Sequence, residues 1–323
     1  MAEPATAAAS APALVLQGLG KTYPGAARPA LDSVDLQLPG AAISVVMGLS
    51  GSGKSTLLRL LNRLVEPSAG RVLCGGVDVT ALGTAALRQW RQQATAMVFQ
   101  RYALLPHRNV LQNVAYPLAL RGVPATSAAA QARQWLARVG LAGSETAWPA
   151  TLSGGMQQRV GLARALAADA PVLLMDEPFS ALDPLHRRDM QDLLLGLQQA
   201  LRKTIVFITH DLDEALRLAD HLVILRDGRV LQQGDPAATV LQPADAHVAQ
   251  FLHGLNRGRL LRCAALVQPG GPVAGPVLAA GASLADAARA MLDAGSLQAN
   301  VQAASGQHLG TLALDAVVRQ LAV

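Results

Sequence analysis

The chain has 323 residues, a formal net charge of +5, 51% hydrophobic residues and 15% charged residues. It can therefore bury a sizeable core, and its length suggests two domains. Its Lys and Arg residues are scattered rather than clustered, which argues against a nucleic-acid partner. Cys74 and Cys263 lie in different parts of the chain, which excludes a disulfide framework or a cysteine metal cluster and is typical of a reducing compartment.

The N-terminal residues are rich in alanine and lack the charged start and continuous apolar run of a signal peptide. We predict a disordered lead-in over residues 1–12. A second uncharged stretch, from Cys263 to Ala285, contains Gln268-Pro269-Gly270-Gly271-Pro272, which would break a membrane-spanning helix. The sequence thus predicts no transmembrane segment, and a transport role would need a separate membrane partner.

A glycine-rich loop is the first motif that carries chemistry. Short strands are predicted over residues 13–40, with a turn at Tyr23-Pro24-Gly25, and a buried strand over residues 43–47. The loop Gly48–Ser55 follows with the spacing G-x-x-x-x-G-K-[ST], and residues 55–64 have helical spacing. Strand, loop and helix are the context that a phosphate-binding loop requires, and about one chain of this length in a hundred would match the loop by chance.

Each residue type in this loop has a physical role. Gly48, Gly51 and Gly53 allow backbone angles and close approaches that a Cβ would forbid. Backbone N–H groups and the helix N-terminus would face the β- and γ-phosphates of a nucleotide, and Lys54 would add a charge there. The Ser55 hydroxyl is placed to ligate Mg²⁺. The predicted nucleotide contacts of this segment are Gly48, Ser50, Gly51, Ser52, Gly53, Lys54, Ser55 and Thr56.

The middle of the chain is mostly helical in pattern. Strands are predicted at residues 71–73 and 96–99, and Gln100 follows the second, where its amide would lie near a metal or a water molecule. A Gln after a strand is more often ordinary loop surface. Residues 101–168 then read as helices and contain Leu152-Ser153-Gly154-Gly155-Met156-Gln157-Gln158-Arg159. Ser153, Gly154 and Gly155 precede a helical run, which makes a second helix N-terminus suited to an anion.

Two carboxylates end the next predicted strand. The apolar run 171–175 is typical of a buried parallel strand, and Asp176-Glu177 follows it. Asp176 fits a Mg²⁺ ligand, and Glu177 fits the base that orients an attacking water; an exposed strand end is the alternative. After a strand at 204–208, His210 could donate to a γ-phosphate, although a lone His is more often structural. A helix at 211–218 and a strand at 222–225 complete a pattern that predicts a parallel α/β sheet.

Taken together, these segments resemble the ATP-binding-cassette (ABC) ATPases over residues 13–255. The resemblance implies a P-loop NTPase fold, with a RecA-like parallel sheet, an antiparallel β subdomain and a helical insert at about 101–168. It also implies ATP and Mg²⁺ as cofactors and a homodimer in which the segment Leu152–Arg159 of each copy, the signature segment, covers the other's phosphate loop. The roles it implies are Tyr23 for adenine stacking; Ser153, Gly154, Gly155, Gln157 and Asp183 for nucleotide binding; Ser55, Gln100 and Asp176 for the metal; and Glu177, His210 and Gln100 for catalysis.

A narrower resemblance is to the ATPase subunits of glycine betaine/L-proline (quaternary amine) importers. It depends on Met47–Thr56, Leu60–Leu64, Leu104–His107, Val160–Arg164, Asp183-Pro184-Leu185 and Asp211–Ala215. It implies osmoprotection, a peripheral place at the cytoplasmic face of the inner membrane, a permease and an extracytoplasmic binding protein. Another cargo (choline, polyamine, sulfate or an amino acid) is one alternative. A soluble ABC protein acting on nucleic acid or ribosomes is another, but the second cassette or coiled-coil insert usual in such proteins is not visible.

The tail, residues 256–323, resembles a single degenerate cystathionine-β-synthase (CBS) motif, an α/β unit that normally occurs in pairs. The resemblance depends on a helix at 283–292 and a strand–turn–strand–helix pattern at 301–323. Because only one motif fits, we predict that the tail packs or dimerises and does not bind adenine nucleotide tightly. The predicted contact surface is an apolar helix face formed by Leu284, Ala288, Met291 and Leu292.

Overall fold

A computed structural model describes residues 11–100, 102–253, 255 and 257–321. Most of the lead-in predicted at residues 1–12 lies outside these described residues. The chain divides into two compact units. The first runs to His210 and also includes Leu218–Gln233, while the second consists of Asp211–Arg217 and the chain from Gly234 onward.

Among its described residues, the first unit is built from two sheets and six α-helices. Its strands are β1 (Leu14–Lys21), β2 (Leu31–Leu38), β3 (Ile43–Met47), β4 (Ala69–Cys74), β5 (Val77–Asp78), β6 (Thr95–Val98), β7 (Val172–Asp176), β8 (Thr204–Ile208), β9 (His221–Arg226) and β10 (Arg229–Gly234). Its helices are α1 (Lys54–Leu61), α2 (Thr84–Ala94), α3 (Val110–Leu120), α4 (Ala125–Arg138), α5 (Gly154–Ala167) and α6 (Pro184–Leu201), with short 3₁₀ turns at Val79–Ala81 and Pro149–Thr151.

The larger sheet has the strand order β10-β9-β3-β8-β7-β6. Strand β3 pairs in parallel with β8 and β9, and β7 pairs in parallel with β6 and β8. Every residue of β3, β7 and β8 is buried, as expected for apolar strands covered on both faces. The predicted parallel α/β sheet is confirmed. Parallel pairing brings the carboxyl ends of β3, β6, β7 and β8 to the same edge.

The first unit also contains a smaller sheet and a group of helices, both formed partly or wholly by residues between strands of the larger sheet. Strands β2-β1-β4-β5 form an antiparallel sheet, with the predicted turn at Pro24-Gly25 between β1 and β2. The helical pattern predicted for 101–168 is confirmed among the described residues as α3, α4 and α5, which pack against one another. Helix α3 begins with a capping box between Asn109 and Gln112.

Some elements differ from the sequence-based expectation. Helix α1 ends at Leu61, three residues before the predicted end, because Arg63 has a left-handed backbone (φ 52°) and its guanidinium donates to the Val79 and Leu82 carbonyls. Helices α2 and α6 and strand β10 were not predicted. Among the described residues, no helix is both long and apolar enough to cross a membrane.

The second unit contains a small three-stranded sheet and its own helices. These are α7 (Leu212–Leu218), α8 (Pro236–Leu241), α9 (Ala246–Phe251), α10 (Arg257–Leu260), β11 (Val277–Ala279), α11 (Leu284–Asp293), β12 (Gln298–Gln302), β13 (His308–Ala313) and α12 (Leu314–Leu321), with a 3₁₀ turn at Cys263–Leu266. Strand β12 pairs in parallel with β11 and antiparallel with β13. The helix and the strand–turn–strand–helix predicted for this region are confirmed as α11 and as β12, β13 and α12.

The apolar face predicted as a contact surface of this tail is wrong for three of its four residues. Leu284, Ala288 and Met291 are buried in the core of the second unit, where α11 packs against α10 and α12. Only Leu292 is exposed, at 64%. An amphipathic pattern shows which face of a helix is apolar but not which neighbour covers it.

Candidate functional site

A cavity of about 500 Å³ lies at the carboxyl edge of the parallel sheet. It gathers residues from the loop after β3 and from the ends of β6, β7 and β8. Its lining is Ala30, Ser50, Gly51, Gly53, Lys54, Ser55, Thr56, Gln100, Glu177 and His210. Sequence reasoning singled out all of these except Ala30.

The glycines of the loop are required by its backbone path. Gly48 has φ 151°, and a Cβ there would lie 2.1 Å from the Leu225 carbonyl oxygen. Gly53 has φ 102°, and a Cβ there would lie 2.3 Å from the carbonyl oxygen of Ala30. Ala30 therefore contributes its backbone, which explains why its side-chain type gave no signal. The path of this loop therefore requires glycine at both positions.

Lys54 is the first residue of α1 and is nearly buried, with 7% of its surface exposed. Its ammonium donates to the carbonyl oxygens of Gly48 (2.7 Å) and Leu49 (2.9 Å). Burial lowers the pKa of Lys54, while the negative charges of Glu177 and Asp176 oppose that shift. Because Gly53 caps α1 without a side chain, the first N–H groups of the helix are open to an anion. The arrangement is that of a phosphate cradle.

Ser55 and Asp176 form an oxygen pair beside this cradle. The Ser55 hydroxyl donates to Asp176 Oδ1 at 2.9 Å. Burial raises the pKa of Asp176, while the Ser55 hydrogen bond and the positive charges of Arg59 and Lys54 act in the opposite direction. Such hard oxygen ligands suit Mg²⁺. The described residues contain no cluster of three or more His, Cys, Asp or Glu side chains that could hold a metal by themselves, so a magnesium ion would also need oxygens from its nucleotide or from water.

Glu177, directly after β7, contacts side chains that follow β6 and β8. Its Oε2 accepts a hydrogen bond from Gln100 Nε2 (3.1 Å) and lies 3.3 Å from His210 Nδ1. Its backbone is left-handed, with φ 46°, a conformation that costs a non-glycine residue about 1 to 3 kcal/mol and is found mainly at functional sites. The structure thus brings together all three residues predicted to be catalytic.

Tyr23 lies beside the glycine-rich loop and Ser52 lies within it, but neither lines the cavity. The Tyr23 hydroxyl lies 3.4 Å from Thr56 Oγ1, and the Lys21 ammonium lies 5.2 Å from the centre of the Tyr23 ring. Tyr23 is partly exposed next to the loop but does not line the cavity. Ser52 is buried, its hydroxyl has no partner, and its N–H donates to the Leu49 carbonyl. Within this chain, Ser52 shapes the loop rather than facing the cavity.

The segment around Ser153 does not reach this cavity. Ser153 caps α5, and its hydroxyl accepts a hydrogen bond from the Met156 N–H at 3.3 Å. The Gln157 amide donates to the carbonyls of Pro149 (3.0 Å) and Leu152 (3.2 Å), so it holds its own loop. None of Ser153, Gly154, Gly155 and Gln157 is among the residues that line the cavity. The structure builds a second helix N-terminus but does not place it over Lys54.

Asp183 also lies outside the cavity lining. It caps α6 by accepting hydrogen bonds from the N–H groups of Leu185 (3.1 Å) and His186 (3.2 Å), and its Oδ2 lies 2.5 Å from His186 Nδ1. The hydrogen bonds from His186 are the main reason that the pKa of Asp183 is lowered. In one chain, Asp183 therefore orders the start of α6.

A second cavity of about 410 Å³ is bordered by α2, β6, α3 and α5. Its lining includes Arg88, Arg91 and Arg164 but neither a carboxylate nor a glycine-rich loop. It offers no cradle for a phosphate with a metal ion. The cavity at Lys54 is therefore the candidate site for chemistry.

Comparisons with known proteins agree with this geometry. A family model described as ABC transporter matches residues 31–180. The chain is 47% identical to the glycine betaine/carnitine transport ATP-binding protein GbuA of Listeria monocytogenes, over 78% of this chain and 64% of that protein. It is 44% identical to the trimethylamine N-oxide transport system ATP-binding protein TmoW of Ruegeria pomeroyi, over 88% of this chain and 85% of that protein.

A solved structure gives the same picture for the fold. The ATP-binding cassette MJ0796, a dimer in a post-hydrolysis state bound to ADP and phosphate, is 32% identical with a TM-score of 0.66. The match covers 69% of this chain and 98% of that chain. The first relatives that the chain matches are longer proteins, of which it spans between 54% and 66%.

Proposed function

The chain belongs to the ABC transporter family, and from this premise we propose that it binds and hydrolyses ATP as the ATPase subunit of an importer. The cargo we propose is glycine betaine, proline or a related quaternary amine. The observation that carries the ATPase proposal is the buried Lys54 ammonium, held at the N-terminus of α1 within the same cavity as Glu177. A buried cation with open helix N–H groups needs an anion, and a polyphosphate supplies one.

Residues of the loop would bind the phosphates without forming covalent bonds to them. Phosphoryl transfer depends mainly on positioning and on electrostatic stabilisation of the charge that develops on the phosphoryl oxygens. Lys54 and the first N–H groups of α1 would supply this stabilisation, and Gly48 and Gly53 permit the loop conformation that places them together. The Tyr23 ring, next to Thr56, would support the adenine by stacking.

The oxygen pair of Ser55 and Asp176 fits a magnesium ion, with the Gln100 amide oxygen as a further ligand. When bound there, Mg²⁺ would neutralise charge on the phosphates. The Gln100 amide N–H donates a hydrogen bond to Glu177. The amide oxygen of Gln100 therefore remains for the metal. Asp176 must be ionised to ligate, and the neighbouring charges of Arg59 and Lys54 favour that form.

Glu177 is proposed as the base that orients the attacking water. One of its oxygens is already held by Gln100 and lies close to His210, which fixes the direction of the carboxylate. A base within hydrogen-bond reach of water contributes roughly 10² to 10⁴ in rate. His210 would sense or hold the terminal phosphate.

We also propose that two copies of the chain share their sites. Ser153, Gly154 and Gly155 form a helix N-terminus that does not line the cavity at Lys54 of the same chain. A two-fold dimer, in which each signature segment covers the other copy's phosphate loop, would satisfy both. The dimeric state of MJ0796 supports this arrangement by analogy.

The ATPase proposal is tested by hydrolysis of ATP with Mg²⁺ by the purified full chain and by Lys54→Ala. The wild type should hydrolyse ATP, and the variant should lose both hydrolysis and most ATP affinity while remaining folded by circular dichroism. A folded Lys54→Ala chain with wild-type activity would contradict the assignment of this cavity.

The cargo proposal depends on the relatives and not on any cargo-contacting residue identified in this chain. Glycine betaine, carnitine and trimethylamine N-oxide, named for GbuA and TmoW, share a nitrogen with three methyl groups. The proposed partners are a permease and an extracytoplasmic binding protein, with this chain at the cytoplasmic face of the membrane. In the reconstituted assembly, glycine betaine should stimulate ATP hydrolysis. Stimulation by only sulfate, a polyamine or an unrelated amino acid would assign another cargo.

For the tail, we propose a single CBS-like unit without tight nucleotide binding. Isothermal titration of the full-length Lys54→Ala chain with AMP and ATP should give no micromolar binding. Micromolar binding that disappears when residues 256–323 are deleted would show that the tail is a sensor.

A further inference from the structure

The segment after β6 contains two consecutive left-handed residues that are not glycine. Tyr102 has φ 53° and Ala103 has φ 46°. Side chains with a Cβ rarely adopt this conformation, and it persists only where surrounding contacts hold it. Among the described residues of the segment, a backbone hydrogen bond from the Tyr102 N–H to the Phe99 carbonyl (3.1 Å) supports it. Further support must come from another element.

Arg164 of α5 supplies that support. Its guanidinium donates to the carbonyl oxygen of Ala103 (2.8 Å) and to that of Tyr102 (3.1 Å). One planar guanidinium therefore engages both left-handed residues at once. The rigid fork of an arginine can make such a double contact, whereas the ammonium of a lysine acts from a single point.

The Tyr102 side chain also contacts the start of the same helix. Its hydroxyl lies 3.0 Å from the position that a Cβ on Gly154 would occupy, and its carbonyl lies 3.6 Å from the corresponding position on Gly161. Gly154, Gly161 and Arg164 are spaced to lie along one side of α5. Tyr102 is thus held along this helix from its first residue to Arg164.

The other end of the segment reaches the proposed catalytic site. Gln100 lies two residues before Tyr102 and donates to Glu177 at 3.1 Å. Two residues of chain span at most about 7 Å, so the position of Tyr102 restricts where the Gln100 amide can lie.

We propose that Arg164 is a positioning residue for ATP hydrolysis. By holding Tyr102 and Ala103 against α5, it sets the placement of Gln100 relative to Glu177 and connects that pair to the Gly154 end of the helix. This inference rests on the proposed ATPase function. Arg164 does not line the cavity at Lys54, so its effect should fall on turnover and not on nucleotide affinity.

The test uses the full chain and Arg164→Met, which keeps an apolar stem and removes the donors. We expect kcat for ATP hydrolysis to fall at least about tenfold, since small misplacements of catalytic groups are costly. The affinity for a fluorescent ATP analogue should stay unchanged within error. Hydrogen exchange of residues 102–105 should become faster. The matched control is Arg121→Met, since Arg121 also donates to a backbone carbonyl near an end of α5, that of Ala168, but not to this segment; its kcat should stay at the wild-type value.

A second variant separates positioning from a general loss of structure. Glycine adopts the left-handed conformation without strain, so Ala103→Gly in the Arg164→Met background should restore part of the lost kcat. Arg164→Lys should restore little, because one ammonium cannot replace the fork.

The outcomes distinguish the two levels of the account. If the wild type hydrolyses ATP and Arg164→Met keeps full kcat, the positioning role is overturned alone. Equal losses of affinity and kcat, without recovery by Ala103→Gly, would also overturn it in favour of a structural role. A wild-type chain that hydrolyses no ATP would overturn the proposed function, and this inference with it.

Discussion

Two helix N-termini in the first unit have different surroundings. Helix α1 begins at Lys54 after a glycine cap, with no side chain over its first N–H groups, and a buried cation and two carboxylates lie beside it. Helix α5 begins at Gly154, and its Ser153 hydroxyl already accepts one N–H. Both ends favour an anion through their N–H groups and dipoles, but only α1 has the groups for chemistry next to it.

Under the proposed dimer, the two ends would contribute different halves of one site. The α1 end has the glycine-rich loop, the Lys54 charge and the oxygen pair proposed for a metal. The α5 end offers backbone N–H groups and a hydroxyl, which are suited to close over a phosphate already held by another α1. A test that damages one end should therefore affect nucleotide binding, and a test that damages the other should affect closure and turnover.

The largest effect on ATP hydrolysis is expected from replacing Glu177, the proposed base beside α1. Glu177→Gln keeps the size of the side chain and its bond to Gln100, but cannot take a proton, so kcat should fall by roughly 10² to 10⁴ while ATP binding persists. ATP with Mg²⁺ should then trap a dimer, visible by size-exclusion chromatography. The control is Glu66→Gln, an exposed residue paired with Arg63, which should keep its activity. Near-normal hydrolysis by Glu177→Gln would remove Glu177 as the base.

Replacing one glycine at each helix N-terminus with alanine tests whether the two ends have different roles. At Gly53 a Cβ would meet the backbone of Ala30 at 2.3 Å with φ 102°, whereas at Gly154 it would meet the Tyr102 hydroxyl at 3.0 Å. Gly53→Ala should therefore lose ATP affinity and stability by about 1 to 3 kcal/mol. Gly154→Ala should bind ATP normally in the monomer and lose turnover. Equal loss of ATP affinity in both variants would mean that the two ends do not differ in this way.

A smaller effect, on stability, should have opposite signs at two aspartates. Burial raises the pKa of Asp176 above its ordinary value of 3.8, so its stabilising contribution is present below that pH and is lost as pH rises through the raised value. His186 lowers the pKa of Asp183, so its contribution is present above pH 3.8 and is lost as pH falls through the lowered value.

At neutral pH without nucleotide or metal, Asp176→Asn should therefore raise Tm, by about 1.5 °C for each kcal/mol of stability gained in a chain of this size. Asp183→Asn should leave Tm unchanged or lower it slightly. Scanning calorimetry of both variants in chelator is the measurement. A lower Tm for Asp176→Asn would mean that its charge stabilises the empty site.

Much of the α1 site could be predicted because its chemistry is local. The loop from Gly48 to Ser55 determines its own backbone, and an apolar strand that ends in Asp176-Glu177 places both carboxylates at the sheet edge. Ala30 could not be predicted, because its backbone reaches Gly53 from a distant loop and its side chain carries no signal. Which side chains of the signature segment turn inward, as Gln157 does, is likewise decided by tertiary contacts.

The start of helix α6 follows a local sequence rule, whereas the backbone of Tyr102 and Ala103 does not. Helix α6 begins with Asp183 as its cap and Pro184 at its first position, a standard helix start. The left-handed Tyr102 and Ala103, by contrast, follow no local rule, since neither residue favours that conformation. They depend on Arg164, 61 residues further along the chain in the case of Ala103. Leu284, Ala288 and Met291 are buried because α11 packs against α10 and α12. The sequence pattern of α11 alone does not reveal these neighbours.

The most direct test of the shared site is to mix two damaged chains. Lys54→Ala removes the α1 side and Ser153→Arg blocks the α5 side, and each variant alone should be nearly inactive. In a mixed dimer one site keeps both intact halves and the other loses both. Since half of the dimers in an equal mixture are mixed, we expect recovery of about a quarter of wild-type ATP hydrolysis if the two sites act independently in a two-fold dimer. Mixing that restores neither hydrolysis nor ATP-dependent association would contradict the account that each copy completes the other's site.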